Sequence, residues 1–249
     1  MNKKYAFSDI HGIWDLWEQI KNYCDKTDTI YFLGDAIDRG PDGIKIIQDM
    51  MKDERVIFIK GNHEDFLIQY YNRINKKILN SFNWELNNFI NYWYIKGGEP
   101  TKKEFDKLTK DKQIAIIKYI KEAPLSQNFI NKKNKKIFLS HAGTDPNYED
   151  WEINFIMKKN QESLLWDREH FKKPYSGYQE YIIHGHTPCP LLRTILKDLT
   201  FSSTEPSFSN TIYTYAENHK IDLDIYSIKT KRTALFDLDS FEVKYFQER

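Results

Sequence analysis

Ile30-Tyr31-Phe32-Leu33-Gly34-Asp35-Ala36-Ile37-Asp38-Arg39-Gly40 decides the fold. A short apolar run rich in strand-forming residues stops at a glycine, and two carboxylates and a guanidinium follow. The same phrase stands on both sides of it. Tyr5-Ala6-Phe7 runs into Ser8-Asp9-Ile10-His11-Gly12, and Val56-Ile57-Phe58-Ile59 leads to Gly61-Asn62-His63-Glu64. Further on, Ile137-Phe138-Leu139 meets Ser140-His141-Ala142-Gly143, and Tyr181-Ile182-Ile183 meets His184-Gly185-His186-Thr187. Ligands of open α/β sheets gather at the carboxyl ends of strands. The pattern therefore predicts Asp, His, Asn and Arg side chains along one edge of one sheet, an arrangement suited to a two-metal hydrolytic site.

Between the early runs the apolar spacing is helical, over 13–23, 43–51 and 65–74. The resulting β-α-β-α-β-α order predicts parallel strands with right-handed crossovers. From about residue 75 to 122 the pattern turns helical, over 83–95 and 102–120, with Gly97-Gly98-Glu99-Pro100 as the break. This stretch is expected to be a helical insertion lying over the strand edge and shaping a cleft. Strands return at 128–130, 137–139 and 181–183. The tail from 211 to 245 alternates apolar and polar residues, as in Ile221-Asp222-Leu223-Asp224-Ile225, which predicts antiparallel strands. Ser202 to Asn210 is polar but short, and no linker divides the chain, so residues 1–249 are expected to form a single domain.

Composition narrows the function classes. The 249 residues carry a formal charge of +1, so no global field draws the chain to nucleic acid or an anionic membrane. The basic cluster Lys132-Lys133-Asn134-Lys135-Lys136 is expected to be a solvated hairpin loop. Aromatics make up 15% of residues and are assigned to core and surface filling. Cys24 and Cys189 form no metal-binding pair, which suits a reducing, cytoplasmic setting. No long apolar segment suggests a membrane span, and the start of the chain leads straight into a strand rather than a signal peptide.

The chemistry follows from the ligand types. Asp and His together suit manganese, iron or zinc. A carboxylate shared by two ions holds them about 3.5–4 Å apart. Asp9, His11 and Asp35 would serve one ion; Asp35, Asn62, His141 and His186 would serve the other. His63 is placed to give a proton to a departing alkoxide, with Asp38 holding its ring. Arg39 and Arg168 would clamp phosphate oxygens, beside Asn62. His184 fits no ligand position and is expected to be structural. A surface role is expected for His170, and a solvated one for His219.

Together these motifs resemble the phosphoprotein phosphatase family of calcineurin-like metallophosphoesterases, the compact bacterial and phage serine/threonine phosphatases in particular. Leu165-Trp166-Asp167-Arg168-Glu169 is similar to the segment that supplies the family's second phosphate-binding Arg, and Gly97-Gly98 to a Gly pair in the bacterial insertion. The resemblance implies a four-layer α/β/β/α sandwich of two sheets and a binuclear centre, most often Mn2+-supported. It also implies direct attack by a metal-activated hydroxide without a phosphoenzyme. Pro188 replaces a further His of the wider superfamily, which favours the phosphoprotein-phosphatase branch. Asp222-Leu223-Asp224 departs from the usual tail turn, so the last loop is expected to differ. The expected substrate is a phosphoserine or phosphothreonine protein. A symmetric diadenosine tetraphosphate hydrolase, or another nucleotide or RNA-end phosphatase, shares nearly all these motifs. A non-catalytic metal-binding regulatory module is the alternative outside hydrolysis. The sequence does not assign an oligomeric state.

Overall fold

The computed structural model describes residues 2–75, 84–145, 147–149, 153, 155, 162–174, 180–197 and 211–249. Strands β1 (Lys4–Phe7), β2 (Thr29–Phe32) and β3 (Val56–Phe58) alternate with helices α1 (Trp14–Tyr23), α2 (Gly43–Met50) and α3 (Asn62–Asn75). Three helices follow: α4 (Trp84–Ile95), α5 (Glu99–Phe105) and α6 (Lys110–Glu122). After them come β4 (Ser126–Ile130), β5 (Lys136–Ser140), α7 (Glu162–Trp166), a 3-10 turn (Glu169–Lys172), β6 (Tyr181–His184) and α8 (Cys189–Ile195). The tail contributes β7 (Tyr213–Tyr215), β8 (Lys220–Asp222), α9 (Ser227–Thr230), β9 (Arg232–Asp237) and β10 (Val243–Gln247).

The strands form two five-stranded sheets, β10-β9-β1-β2-β3 and β4-β5-β6-β8-β7. The expected parallel pairing holds: Tyr5 lies opposite Ile30 and Tyr31 opposite Ile57. The second sheet pairs β5, β6 and β8 in parallel between antiparallel β4 and β7.

Side-chain alternation builds the layers, because successive residues of a strand point to opposite faces. Phe7, Ile30 and Phe32 face α1, α2 and α3 with Leu16, Trp17, Ile47 and Leu67. Their neighbours Ala6, Tyr31 and Leu33 face the other way and meet Ile137, Leu139, Ile183 and Ile221 of the second sheet. Phe138 and Ile182, on the far face of that sheet, pack on Leu164 and Leu165 of α7. The order is thus helix, sheet, sheet, helix, with both sheets covered on both faces, which is why the early runs are apolar throughout.

Three expectations are corrected. The ligand-bearing strand ends lie on two facing sheets rather than one, because the alternate faces of the strands need a second apolar surface. The helical stretch over 102–120 is two helices that part between Phe105 and Lys110. The expected break before it stands, with α4 ending at Ile95 and α5 starting at Glu99; Pro100 lies in the first turn of α5, where a missing N–H leaves no bond unmade. In the tail, β8 pairs parallel with β6, and its residues Lys220, Ile221 and Asp222 are all buried instead of alternating with solvent. Ser202 to Asn210 falls outside the described residues.

The basic cluster is the β4–β5 hairpin, as expected, and Asn131 shapes it. Its side-chain oxygen accepts from Lys133 N (3.0 Å) and Lys135 N (2.9 Å), and its amide donates to Leu238 O at 2.8 Å. Among the described residues no helix is long and apolar enough to cross a membrane.

Candidate metal centre

The turns after β1, β2, β3, β5 and β6 converge between the sheets. Backbone bonds lace them: Asp9 N donates to Gly34 O (3.0 Å), His11 N to Asp35 O (3.0 Å), and Gly185 N to His141 O (2.9 Å). The turns are tight enough to drive side-chain-bearing residues into the left-handed region. Asp9, His11, Asp35, Asp38, Arg39 and His186 all have φ between 42° and 71°. Such conformations cost of order 1–3 kcal/mol each and persist where the surroundings impose them. Gly34 (φ 92°) has no room for a Cβ, which would lie 2.5 Å from Gly61 N. At Gly185 a Cβ would press on the Asp9 carboxylate at 2.1 Å.

Glu64 holds the centre from behind. Fully buried, its carboxylate accepts the N–H groups of Asp35 (2.9 Å), Ala36 (2.8 Å) and Gly61 (2.9 Å), clipping the turn after β2 to the turn after β3. The sequence reading assigned this residue no role.

The six expected ligands come together. His141 Nε2 and His186 Nδ1 lie 2.8 and 2.9 Å from Asn62 Oδ1, and His141 Nε2 lies 3.5 Å from Asp35 Oδ1. On the other side, His11 Nε2 is 4.0 Å from Asp9 Oδ1 and 3.9 Å from Asp35 Oδ2. Asp35 is common to both tight groups of potential ligands, Asp9-Asp35-His141 and His11-Asp35-His63. The second group includes His63, which the sequence reading kept for proton transfer.

The donor set fits divalent cations. Asp9 Oδ1, His11 Nε2 and His186 Nε2 are buried with no hydrogen-bond partner among the described residues. His11 Nδ1 donates to Ile37 O at 3.0 Å and His141 Nδ1 to Leu33 O at 2.7 Å. Each neutral ring then turns its Nε2 lone pair inward, the form that binds metal. As it lies, Asn62 Oδ1 meets the His141 lone pair acceptor to acceptor, an arrangement that a cation between them would make favourable.

Electrostatics agree. Burial, then Coulombic repulsion from Asp224 and Asp35, raises the Asp9 carboxyl well above the ordinary range; burial, then Glu64, does so for Asp35. Burial pulls His141 down to about 3 and lowers His11 and His186. The imidazoles are ready as neutral ligands, and the carboxylates lack a neighbouring charge sufficient to offset their desolvation.

At the mouth, His63 Nδ1–H donates to Asp38 Oδ2 at 2.6 Å, and Arg39 Nη2 donates to His63 Nε2 at 3.3 Å. Arg39 and Arg168 are exposed, and Arg168 Nε donates to Thr187 Oγ1 at 2.9 Å. The helical insertion reaches in more directly than the sequence showed: Trp93 Nε1 donates to Asp38 Oδ2 (2.7 Å), Asp38 N to Thr101 Oγ1 (2.8 Å), and Arg39 N to Gly97 O (2.7 Å).

A family model for calcineurin-like phosphoesterases matches residues 3–190. The chain belongs to that family. This calcineurin-like phosphoesterase is therefore one of the metal-dependent hydrolases of phosphoric esters. It is 27% identical over 210 residues to the asymmetrical bis(5'-nucleosyl)-tetraphosphatase PrpE of Oceanobacillus iheyensis, covering 72% of this chain and 75% of that protein. It is 32% identical over 154 residues to the symmetrical bis(5'-nucleosyl)-tetraphosphatase of Wigglesworthia glossinidia brevipalpis, covering 58% of this chain; the match spans 46% of that relative's length, under half. It is 23% identical to serine/threonine-protein phosphatase 2 of Escherichia coli, covering 82% and 88%. Among solved structures, a candidate diadenosine tetraphosphatase superposes with a TM-score of 0.62 at 12% identity, covering 98% of this chain and 93% of that one, a likeness of fold.

The remaining histidines and cysteines sort by burial. His184 is structural, as expected, its Nε2 2.8 Å from Tyr215 OH. His170 is not at the surface: it is fully buried, with Nε2 donating to Ala142 O at 2.7 Å under the Gly143 turn. His219 is half-buried and donates from Nδ1 to Glu180 O at 2.7 Å rather than standing free in water. Cys24 and Cys189 are free and buried. The departing tail turn contributes buried Asp222 and Asp224; burial raises Asp224 to about 6, and it adds to the negative charge around Asp9.

Two predictions follow from this geometry. Glu64→Gln turns an amide toward backbone donors and leaves at least one unsatisfied, so stability should fall by about 1–3 kcal/mol; an unchanged urea midpoint would remove Glu64 from its clipping role. The second concerns pH in metal-stripped protein. Raised carboxyls lose their stabilising contribution as pH rises through their folded values, and lowered imidazoles lose theirs as pH falls from their ordinary value. Mn2+ loading near neutral pH should therefore release protons from the buried carboxyls and raise the melting temperature. Calorimetry in buffers of different ionisation enthalpy checks this, and loading with no proton release would contradict the burial argument.

Proposed function

We propose that this chain is a binuclear phosphomonoesterase acting on phosphoserine and phosphothreonine in proteins. The observation that carries the hydrolytic reading is the His63–Asp38 pair at 2.6 Å, standing beside a buried cluster of two carboxylates, three imidazoles and one amide. In this reading Asp9, His11 and Asp35 hold one divalent ion and Asp35, Asn62, His141 and His186 the other, with Mn2+ the first choice and iron or zinc the alternatives. Bound there, two such ions supply hydroxide at neutral pH and neutralise phosphoryl charge.

The chain's own residues do the rest. Arg39 and Arg168 present guanidinium forks that match phosphate oxygens in pairs. Arg39 rests on His63 Nε2, and moving to the phosphate frees that nitrogen to face the leaving oxygen. Asp38 fixes the ring through Nδ1 and stabilises the charge it carries while Nε2 holds a proton for the alkoxide. The buried Phe66 ring, 5.8 Å from that of His63 between centroids, excludes water on that side of the imidazole.

Coverage of 88% of serine/threonine-protein phosphatase 2, with the match running along most of both chains, supports the protein-substrate reading. The second reading, hydrolysis of a dinucleoside tetraphosphate, is favoured by the names of the two bis(5'-nucleosyl)-tetraphosphatase relatives. A competition assay separates them: Mn2+-reloaded protein receives a phosphothreonine peptide and diadenosine tetraphosphate together, and the products are resolved by chromatography. Inorganic phosphate from the peptide is the expected product, whereas ADP or ATP accumulating from the dinucleotide would transfer the assignment. For the bridging role, Asp35→Asn should drop bound metal from two ions to one or none and cut kcat at least about 100-fold, a loss of roughly 2.7 kcal/mol of transition-state stabilisation. Two ions and full turnover in that variant would sink the bridging assignment.

A further inference from the structure

We propose that Trp93, on helix α4 of the insertion, is a positioning residue for proton delivery to the leaving group. The inference rests on the reading of His63 as proton donor. The Asp38 carboxylate uses one oxygen for two partners: Oδ2 accepts from His63 Nδ1 at 2.6 Å and from Trp93 Nε1 at 2.7 Å. Its other oxygen, Oδ1, is buried with no partner among the described residues. The indole N–H is therefore the contact that fixes which oxygen faces His63 and in which plane. Without it the carboxylate could turn about its last torsion and carry the His63 ring with it.

Core filling alone does not account for this arrangement. Trp93 is fully buried and packs against Tyr70 (5.4 Å between ring centroids) and Phe89 (6.2 Å), a purpose that any large apolar ring would serve. Its one polar atom is instead aimed at the same Asp38 oxygen that accepts from His63 Nδ1. The surrounding backbone preserves that aim. Gly98 leaves the indole its space, since a Cβ there would lie 2.3 Å from the ring. Thr101 Oγ1 and Gly97 O accept from the N–H groups of Asp38 and Arg39, docking the insertion on the same turn at 2.8 and 2.7 Å. Among the described residues the insertion thus joins the Asp38-Arg39 turn through three hydrogen bonds.

The step affected is the departure of the ester oxygen. A water oxygen forms the new bond to phosphorus and gives up a proton to solvent, the old P–O bond breaks with its electron pair on the leaving oxygen, that oxygen takes the proton from His63 Nε2, and His63 regains one from solvent. The Trp93 proton is not transferred. A misplaced His63 harms only leaving groups that need the proton, so the signature is dependence on the leaving group.

The test compares Trp93→Phe, His63→Asn and wild type, all loaded with Mn2+, on a phosphothreonine peptide and on p-nitrophenyl phosphate. Phe105→Leu, a cavity change in the same core cluster, serves as a control for lost stability. Trp93→Phe is expected to lower kcat on the peptide about tenfold, with KM unchanged and less than about a twofold effect on p-nitrophenyl phosphate. His63→Asn should give the same pattern with a larger loss. If Trp93→Phe lowers both substrates equally, as Phe105→Leu does, or leaves both unchanged, the positioning role is overturned while the His63 reading stands. If His63→Asn itself shows no dependence on the leaving group, the underlying reading fails. Should Trp93→Phe not fold, site-specific replacement by benzothienylalanine, which keeps the ring and removes the N–H, gives the same readout.

Discussion

Two carboxylates taken out of water decide the rest of this structure. Asp9 and Asp35 are each about 2% exposed or less, between two sheets, with no Lys or Arg among the described residues hydrogen-bonded to either. An uncompensated buried carboxylate costs several kcal/mol, and two of them approach the whole stability of an ordinary domain, about 5–15 kcal/mol. The fold offsets that cost only in part, with backbone N–H groups from His186 on Asp9 and from His63 on Asp35, at 3.0 and 3.1 Å. The remaining lone pairs converge with those of neutral imidazoles. Such a cluster is stable either with protons on the carboxyls or with cations among them, and the inward lone pairs of His11 and His141 suit the second.

The need to aim these groups explains the backbone. A regular strand-to-helix turn would carry Asp9 and Asp35 past the gap between the sheets; left-handed φ values bend the chain back so that both side chains reach it. That strain is borne by bonds between turns rather than within them. Glu64 is the main example, since its one carboxylate gathers donors from two different turns. The cost of burying Glu64 is met by three N–H groups, whereas Asp35 accepts one from His63 and keeps lone pairs for the cluster, though both lie at the ends of similar apolar runs.

The same distinction marks what could be read from the sequence. Strand ends are legible because an apolar run that stops at a small residue followed by Asp, Asn or His is a local signal, and the six candidate ligands that the structure brings together all stand just after such runs. The division of those strands between two sheets is not local: Tyr31 meets Ile137 and Leu139 across the sandwich only after folding, and nothing in either run names its partner. Glu64 looked like the end of a motif because its partners are backbone groups, which leave no trace in the sequence. His170 and Lys220 were missed for a related reason. A polar residue reads as exposed, yet His170 donates to Ala142 O and Lys220 Nζ to His170 O, so backbone carbonyls satisfy both in the interior. Trp93 is one of the aromatics assigned as a group to core and surface filling, and it is core apart from one N–H.

This last case bears on how substrates are told apart within such a family. The buried cluster of carboxylates, imidazoles and amide suits divalent cations, which would serve phosphoproteins and nucleotides alike, so it cannot carry the choice between them. The insertion can. It is joined to the Asp38-Arg39 turn by Trp93, Gly97 and Thr101, while α4 turns Tyr92, Tyr94 and Ile95 toward solvent. One element therefore touches the His63–Asp38 pair with one face and solvent with the other. Its outer face is free to vary, while its inner contacts hold the Asp38 carboxylate that accepts from His63.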